Sequence, residues 1–445
     1  MENEKKKRKR LTSFQIIILG FIGVIFLGAL ILTLPISSHD GVFTPFNQAL
    51  FTSTSAVCVT GLVVQDTATY WSGFGQAIIL LLIQIGGLGV VTMAASFVLL
   101  SGKRLSLSQR TTMRSAISAP MVGGIVRLTK FVIRGAIVIE LIGATLLIPV
   151  FYRGFGLKGV WMSFFHSVSA FCNAGFDLMG QPDNKFASLT AYADNAIVNI
   201  VIMLLIIIGG ISFMTWKDFT TYRFRFKRYT LQTKVILVTT AILILIPAIF
   251  FFFRDYAQLP IGERITGSLF QSVTTRTAGF NTEDLTQLST ISKGVFVILM
   301  LIGGSPGSTA GGMKTTTIAV LFANGIASFR RKEDPELFGR RVNSDAVKTA
   351  ATILTMYLTL CFAGAAIISL VEDLSFGACI FETASAVGTV GLTLGITPHL
   401  GVVSQIILMT LMFLGRVGGL TIIYATLSGS NKKLSKLPQE GITVG

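Results

Sequence analysis

Apolar residues in this chain gather in long runs. Runs lie at about 14–35, 77–100, 131–151, 196–214, 235–253, 294–303, 350–371 and 402–425. Most are as long as the roughly 20 helical residues that cross a ~30 Å hydrocarbon core. They predict an all-α polytopic membrane protein with eight spanning helices, since lipid tolerates only backbone that satisfies itself. The first run follows MENEKKKRKR and is too long for the apolar core of a signal peptide. No A-x-A cleavage site follows it, so it reads as the first membrane helix.

Shorter, moderately apolar stretches sit between these runs: FNQALFTSTSAV, VWMSFFHSVSAF, ITGSLFQSVTT and FGACIFETASAV. Each is too short to span, but long enough for a re-entrant half-helix. Each leads into a similar glycine-centred motif: SAVCVTGL at 55–62, SAFCNAGF at 169–176, VTTRTAGF at 273–280 and SAVGTVGL at 385–392. The glycines Gly61, Gly175, Gly279 and Gly391 are 114, 104 and 112 residues apart (175−61, 279−175, 391−279). One unit, helix then half-helix then glycine loop then helix, therefore recurs four times. Four such loops around a pseudo-fourfold axis can turn carbonyls inward and replace a cation's hydration shell. Glycine permits the positive φ this requires, and the half-helices aim their negative carboxyl ends at the same place. A single such loop would read as an ordinary helix cap; four recurring between spanning segments do not.

The second helix of each unit carries a glycine pair, at Gly86-Gly87, Gly209-Gly210, Gly303-Gly304 and Gly418-Gly419. For the first two, close helix packing is the simpler reading. In the third the pair opens a longer break, IGGSPGSTAGGMKTTT at 302–317, so that 292–328 reads as one helix with a polar interruption. A nucleotide-binding loop would need GxxxxGK[ST] after a strand; here one residue is inserted and the preceding element is a membrane helix. Unwound backbone at membrane depth fits a wet cavity instead.

Charge sharpens the orientation. The chain of 445 residues is 51% hydrophobic and 13% charged, with a net charge of +16. Basic residues cluster in the amino terminus, at Lys103, Arg104, Arg110, Arg114, Arg127, Lys130 and Arg134, and in 217–234. They recur at Arg330, Arg331, Lys332, Arg340, Arg341 and Lys348, and in the tail at Lys432, Lys433 and Lys436. This positive-inside pattern places both termini in the cytoplasm. It argues against nucleic acid as the reason for the charge. The opposite loops lean acidic, with Asp40, Asp66, Asp177, Asp183, Asp194, Asp255, Glu263, Glu283, Asp284, Glu372 and Asp373, which raises local cation concentration. Four cysteines, Cys58, Cys172, Cys361 and Cys379, and three histidines, His39, His166 and His399, lack metal-ligand spacing. Two charges lie inside spans: Arg416, expected to face the bundle interior, and Glu140, read as a packing partner.

The four glycine loops, GGSPGSTAGGMKT in the third repeat and FLGRVGGL in the fourth, resemble the Trk/Ktr/HKT superfamily of cation transporters. The resemblance covers essentially the whole chain and is nearest to the KtrB-type membrane subunits of bacterial Ktr potassium uptake systems. It implies channel-like K+ uptake across the bacterial plasma membrane, often Na+-dependent. It also implies a homodimer with one pore per subunit, on a cytosolic RCK-type ring (KtrA type) that binds ATP/ADP. No cofactor and no metal beyond permeating K+ is implied for this subunit, Na+ being an activating ion, and no enzyme activity. The selectivity filter would comprise Val59, Thr60 and Gly61; Asn173, Ala174 and Gly175; Thr277, Ala278 and Gly279; and Thr389, Val390 and Gly391. Gly61, where Na+-favouring members often carry serine, points to K+. No loop spells TVGYG, so discrimination against Na+ would be less stringent than in tetrameric K+ channels. Arg276 would face away from the axis. The intramembrane gate would be Gly303, Gly304, Ser305, Pro306, Gly307, Ser308, Thr309, Ala310, Gly311 and Gly312, beneath the filter and opposite Arg416. Lys314 is expected to snorkel to the cytoplasmic interface, with a second barrier role as the alternative. The expected boundaries are a basic amino terminus 1–13, repeats 14–100, 127–220, 231–330 and 346–428, and a cytoplasmic tail 429–445. The competing reading is a Na+-coupled secondary K+ transporter with alternating access.

Overall fold

The computed structural model describes residues 12–100, 106–117 and 123–418. The expected basic terminus up to residue 11, Lys103, Arg104, Gly419, the end of the last apolar run and the tail 429–445 lie outside the described residues.

Helices follow the apolar runs closely. They are α1 (Ser13–Thr33), α2 (Phe46–Val57), α3 (Gly73–Leu88), α4 (Val90–Leu100) and α5 (Leu107–Ile117), then α6 (Ile125–Phe155), α7 (Leu157–Phe171), α8 (Ala196–Gly210) and α9 (Phe213–Tyr222). The chain continues with α10 (Leu231–Arg254), α11 (Ile261–Thr274), α12 (Thr290–Leu301) and α13 (Thr315–Phe329). A small hairpin pairs β1 (Glu336–Leu337) with β2 (Arg340–Arg341), and α14 (Ser344–Glu372), α15 (Phe376–Gly388) and α16 (Val402–Val417) complete the described residues.

Four long helices, α1, α6, α10 and α14, are each long and apolar enough to cross a membrane. On α1 one face is buried through Ile17, Phe21, Ile25, Ala29 and Leu32, while Leu19, Ile22, Phe26 and Leu27 are exposed. A helix apolar on all sides yet half exposed is built to meet lipid. In the first two units the second helix departs from the expected straight span. After α3 the chain bends by 99° into α4, and after α8 by 97° into α9. The first bend is made at Gly89, whose φ of 88° is open to glycine. The second restarts at Ser212, whose hydroxyl accepts from the Met214 N–H. In the third unit α12 ends after 12 residues and α13 begins only at Thr315. The interruption is thus a full break between two separate helices.

The short helices α2, α7, α11 and α15 have 12, 15, 14 and 13 residues, about 20 Å each at 1.5 Å per residue. Each lies against the long helix before it, and three are pinned by one hydroxyl. Ser53 donates to the Ile25 carbonyl at 2.7 Å, Ser167 to Glu140 at 2.6 Å and Ser272 to Ile244 at 2.6 Å. Between units the packing is cyclic: α3 meets α7, α8 meets α11, α12 meets α15, and α16 returns to α2. The four units therefore close a ring around one axis.

Candidate ion pathway

The loops that follow the short helices meet at that axis. Each is clamped by a hydroxyl residue near the end of its short helix. Ser55, Ser169 and Ser385 accept, through their carbonyls, the N–H groups of Thr60, Ala174 and Val390, each at 2.8 Å. The Ser55 and Ser385 hydroxyls also accept the N–H of Gly61 (3.1 Å) and Gly391 (3.0 Å). Ser169 and Thr274 donate instead to the carbonyls of Phe176 and Phe280, both at 2.7 Å. In the third loop the Ala278 N–H reaches back to Thr274, one residue nearer than in the other three. The third loop is thus one residue tighter between short helix and glycine, a difference hidden when the four motifs are aligned on glycine.

Backbone conformation repeats around the ring. Val59, Asn173, Thr277 and Thr389 have φ of 50°, 57°, 66° and 52°, and Gly61, Gly175, Gly279 and Gly391 have 96°, 68°, 80° and 92°. Thr60, Ala174, Ala278 and Val390, between them, do not have positive φ. Alternating the sign of φ cancels the side-to-side alternation of an extended strand, so that successive carbonyls can face one way. Left-handed backbone costs a non-glycine residue roughly 1–2 kcal/mol. Three of the four such residues here are β-branched, the type that avoids it most. Strain repeated at one position in four loops marks a site held for function.

The glycines touch in sequence. A Cβ on Gly61 would lie 2.6 Å from the Ala174 carbonyl oxygen, and one on Gly175 would lie 2.7 Å from that of Ala278. On Gly279 it would lie 2.3 Å from Val390, and on Gly391 2.1 Å from Thr60. Every glycine abuts the carbonyl of the next loop, and the fourth closes on the first. All four glycines line one cavity of about 140 Å³, together with Asp66, Asp177, Asn281, Thr393 and His399. Asp66 is buried and held by the N–H groups of Ala68, Thr69 and Phe186. Half-buried Asp177 is raised to about 7 by desolvation; the Met179 N–H opposes the shift and the Asp66 charge adds to it. Arg276 points outward, donating from Nη2 to Thr240 Oγ1 of α10 at 3.4 Å.

Beneath the ring lies the segment 302–314. Its ends are drawn together by the Gly303 N–H on the Met313 carbonyl (2.7 Å) and the Thr315 N–H on Gly304 (3.0 Å). It also reaches other units. Ser305 and Thr309 donate backbone N–H groups to Gly210 (3.0 Å) and Gly209 (3.1 Å), and Gly312 donates to Gly415 (3.3 Å). The loop's Gly311 and Gly312 lie directly against the fourth glycine loop, since a Cβ there would meet Thr389 Oγ1 at 2.1 Å and the Gly388 carbonyl at 2.8 Å. A cavity of about 250 Å³ lies against this segment and is lined by Gly307, Ser308, Met313, Lys314, Tyr357 and Arg416, among others.

Arg416 crosses this layer. Its Nη1 donates to the Thr309 carbonyl, and its Nη2 to the carbonyls of Gly86 and, at 2.9 Å, Gly87. Gly86 and Gly87 lie in the last turn of α3, where the carbonyls carry the helix's partial negative charge. The guanidinium therefore bolts α16 to α3 and to the interrupting segment. Lys314 does not snorkel to the cytoplasmic interface. Its Nζ folds back to donate to Ala310 (2.8 Å) and Gly311 (3.1 Å), because broken-helix carbonyls at this depth need donors. The fourth glycine pair also needs correcting. Gly415 fills the role of Gly86 and Gly209: a Cβ on Gly86, Gly209 or Gly415 would lie 2.0, 1.8 and 2.1 Å from the carbonyls of Val57, Phe171 and Val387. Gly418 instead caps α16 with φ 84° and ψ 130°, matching Gly89 at 88° and 131°. Arg416 thus stands where the first two units have a second glycine. Glu140 accepts from Gln84 Nε2 at 3.0 and 3.2 Å. The sequence reading missed the clamping hydroxyls Ser55, Ser169, Thr274 and Ser385, although their recurrence at the end of each short helix was visible.

Comparison with known proteins agrees with this architecture. The TrkH family, described as cation transport proteins, matches residues 2–434. The potassium/sodium uptake protein NtpJ of Enterococcus hirae is 40% identical, covering 99% of each chain. The Ktr system potassium uptake protein B of Bacillus subtilis is 38% identical over 94% of this chain and 93% of its own. The crystal structure of the potassium transporter TrkH from Vibrio parahaemolyticus shares the fold. It has a TM-score of 0.71 and 17% identity, covering 95% of this chain and 86% of that one. A family match across nearly the whole chain, on a ring of four glycine loops among membrane helices, settles the class: this protein is a multi-pass membrane transporter rather than an enzyme, and it belongs to the TrkH family of cation transport proteins.

Proposed function

We propose that the chain takes up K+ through a central pore in which the four glycine loops select the ion and segment 302–314 gates it. The closed ring of glycines, each against the carbonyl of the next loop, carries this reading. It gathers the carbonyls of Thr60, Ala174, Ala278 and Val390 where they can replace a hydration shell. The negative ends of four short helices add a field that favours cations. Below the ring, a chain segment and a guanidinium oppose passage until they move. An inside-negative potential supplies roughly 2.3 kcal/mol per 100 mV for each K+, about a fiftyfold accumulation, so no hydrolysis by this subunit is needed.

Relatives bearing the names Ktr system potassium uptake protein B and potassium/sodium uptake protein NtpJ support K+ as the ion and a partnership with a regulatory subunit. The fuller proposal adds Na+ as an activating ion and a homodimer regulated by a cytosolic nucleotide-binding RCK-type ring. The basic loops, including Arg330, Arg331, Arg340 and Arg341, would then face the cytoplasm of a bacterial cell, with both termini on that side. The test is K+ flux into proteoliposomes under Na+ competition, with and without the co-expressed partner. Flux that saturates at a fixed Na+:K+ ratio, or that survives Gly61→Asp unchanged, would reject the pore.

A further inference from the structure

The residue two positions before each ring glycine is of three types in the four loops: Val59, Asn173, Thr277 and Thr389. All four share left-handed backbone, yet their side chains have different neighbours. Asn173 is 1% exposed, and its amide bonds in two directions. Its Nδ2 donates to the neighbouring third loop, to the Arg276 carbonyl at 3.3 Å and to Thr277 Oγ1 at 3.5 Å. Its Oδ1 accepts from Thr309 Oγ1 at 3.1 Å. Thr309 is fully buried, and its hydroxyl is shared with the Phe171 carbonyl at 3.0 Å, at the end of α7. The Thr309 carbonyl is the one Arg416 grips. In the diagonally opposite loop Thr389 Oγ1 touches Gly311 but has no hydrogen-bond partner. The contact between ring and segment is therefore polar on one side and steric on the other.

We infer that Asn173 is a positioning residue that ties the shape of the second and third glycine loops to the state of segment 302–314, so that ion preference depends on whether the segment is seated. The inference rests on the pore reading. Its physical basis is the strain in Asn173 and Thr277, both left-handed, which persists only while surrounding contacts over-determine it. Withdrawal of Thr309 leaves the buried Asn173 Oδ1 without its donor. The amide then reorients, and the bridge to Arg276 and Thr277 goes with it. A structure with four equal loops cannot transmit the position of a single segment; one unlike side chain can.

The experiment uses the full-length protein in proteoliposomes, reading K+ flux and K+/Na+ preference together. Thr309→Val removes the hydroxyl at nearly constant volume. It should raise flux and lower K+/Na+ preference by about threefold to tenfold, the size of one buried hydrogen bond, and Thr309→Ser should restore both. Asn173→Leu should lower K+/Na+ preference less in the Thr309→Val background than in the unaltered protein. Raised flux at unchanged preference in Thr309→Val overturns the coupling, as does full additivity of the two changes. If Asn173→Leu does not fold, the Val-against-Ser comparison at Thr309 decides alone. Absence of K+ flux in the unaltered protein would reject the pore reading itself, a different result.

Discussion

At the level of the glycine ring, each of the four units contributes the same thing: a short helix ending at a clamping hydroxyl, a left-handed residue, and a glycine set against the next carbonyl. One layer below, the contributions are no longer all alike. The first unit offers the carbonyls of Gly86 and Gly87, the second those of Gly209 and Gly210, the third the segment 302–314, and the fourth Arg416. Under the proposed pore, coordination of a spherical ion would favour equal ligands in the upper layer. An obstruction that can be relieved would need one part able to move while the rest stay fixed, which suits the unlike lower layer.

Four perturbations test that contrast. The largest effect should come from Gly391→Ala, where a Cβ would sit 2.1 Å from the Thr60 carbonyl at φ 92°. Roughly 1–2 kcal/mol of left-handed strain adds to a methyl group thrust into the ring. K+ uptake should vanish while membrane yield holds, as measured by flux and by size-exclusion of purified protein. A variant transporting normally would show that the ring is not the narrow part. Arg416→Ala should act in the opposite direction. Removing a positive charge from beneath the ring and unbolting Thr309 should raise K+ flux on the order of tenfold; a fall in well-folded protein would mean that the guanidinium only holds α16 to α3.

Ser385→Ala removes the hydroxyl that accepts the Gly391 N–H at 3.0 Å. The loss is worth about 1 kcal/mol, so K+/Na+ preference should drop several-fold while flux survives; competition flux reads both. The smallest effect concerns external pH. Asp177 is raised to about 7, so it is mostly neutral below that pH and gains its negative charge above it. Raising external pH from 6 to 8 should therefore increase uptake on the order of twofold at subsaturating K+. Asp177→Asn should flatten that profile. Asp66 and His399 line the same cavity, so their variants are the controls for the assignment.

Much of the fold could be read from the runs and the recurring motif. The positions of α1, α6, α10 and α14 follow from apolar length, and the short helices from lengths too small to span. The candidate ring was legible because glycine recurs where only glycine suits the backbone. Other features were not. The apolar run at 77–100 reads as one span by its hydropathy, yet it folds through 99° at Gly89. Hydropathy is indifferent to direction. Likewise Gly415 and Gly418 are equivalent in sequence terms, and only the approach of Val387 separates the packing glycine from the cap.

The sequence by itself determined the class of solvent, the fourfold order of elements and the positions of the ring glycines, because each depends on local composition or on one residue's steric allowance. Only the tertiary structure decided the one-residue tightening of the third loop, the folding back of Lys314 and the partners of Arg416. Those partners lie 107, 329 and 330 residues away. They are backbone carbonyls, which every residue carries, so no side-chain pattern could single them out. Which carbonyl is left unpaired at a helix end, and which charge can reach it, is fixed only when the four units close around the axis.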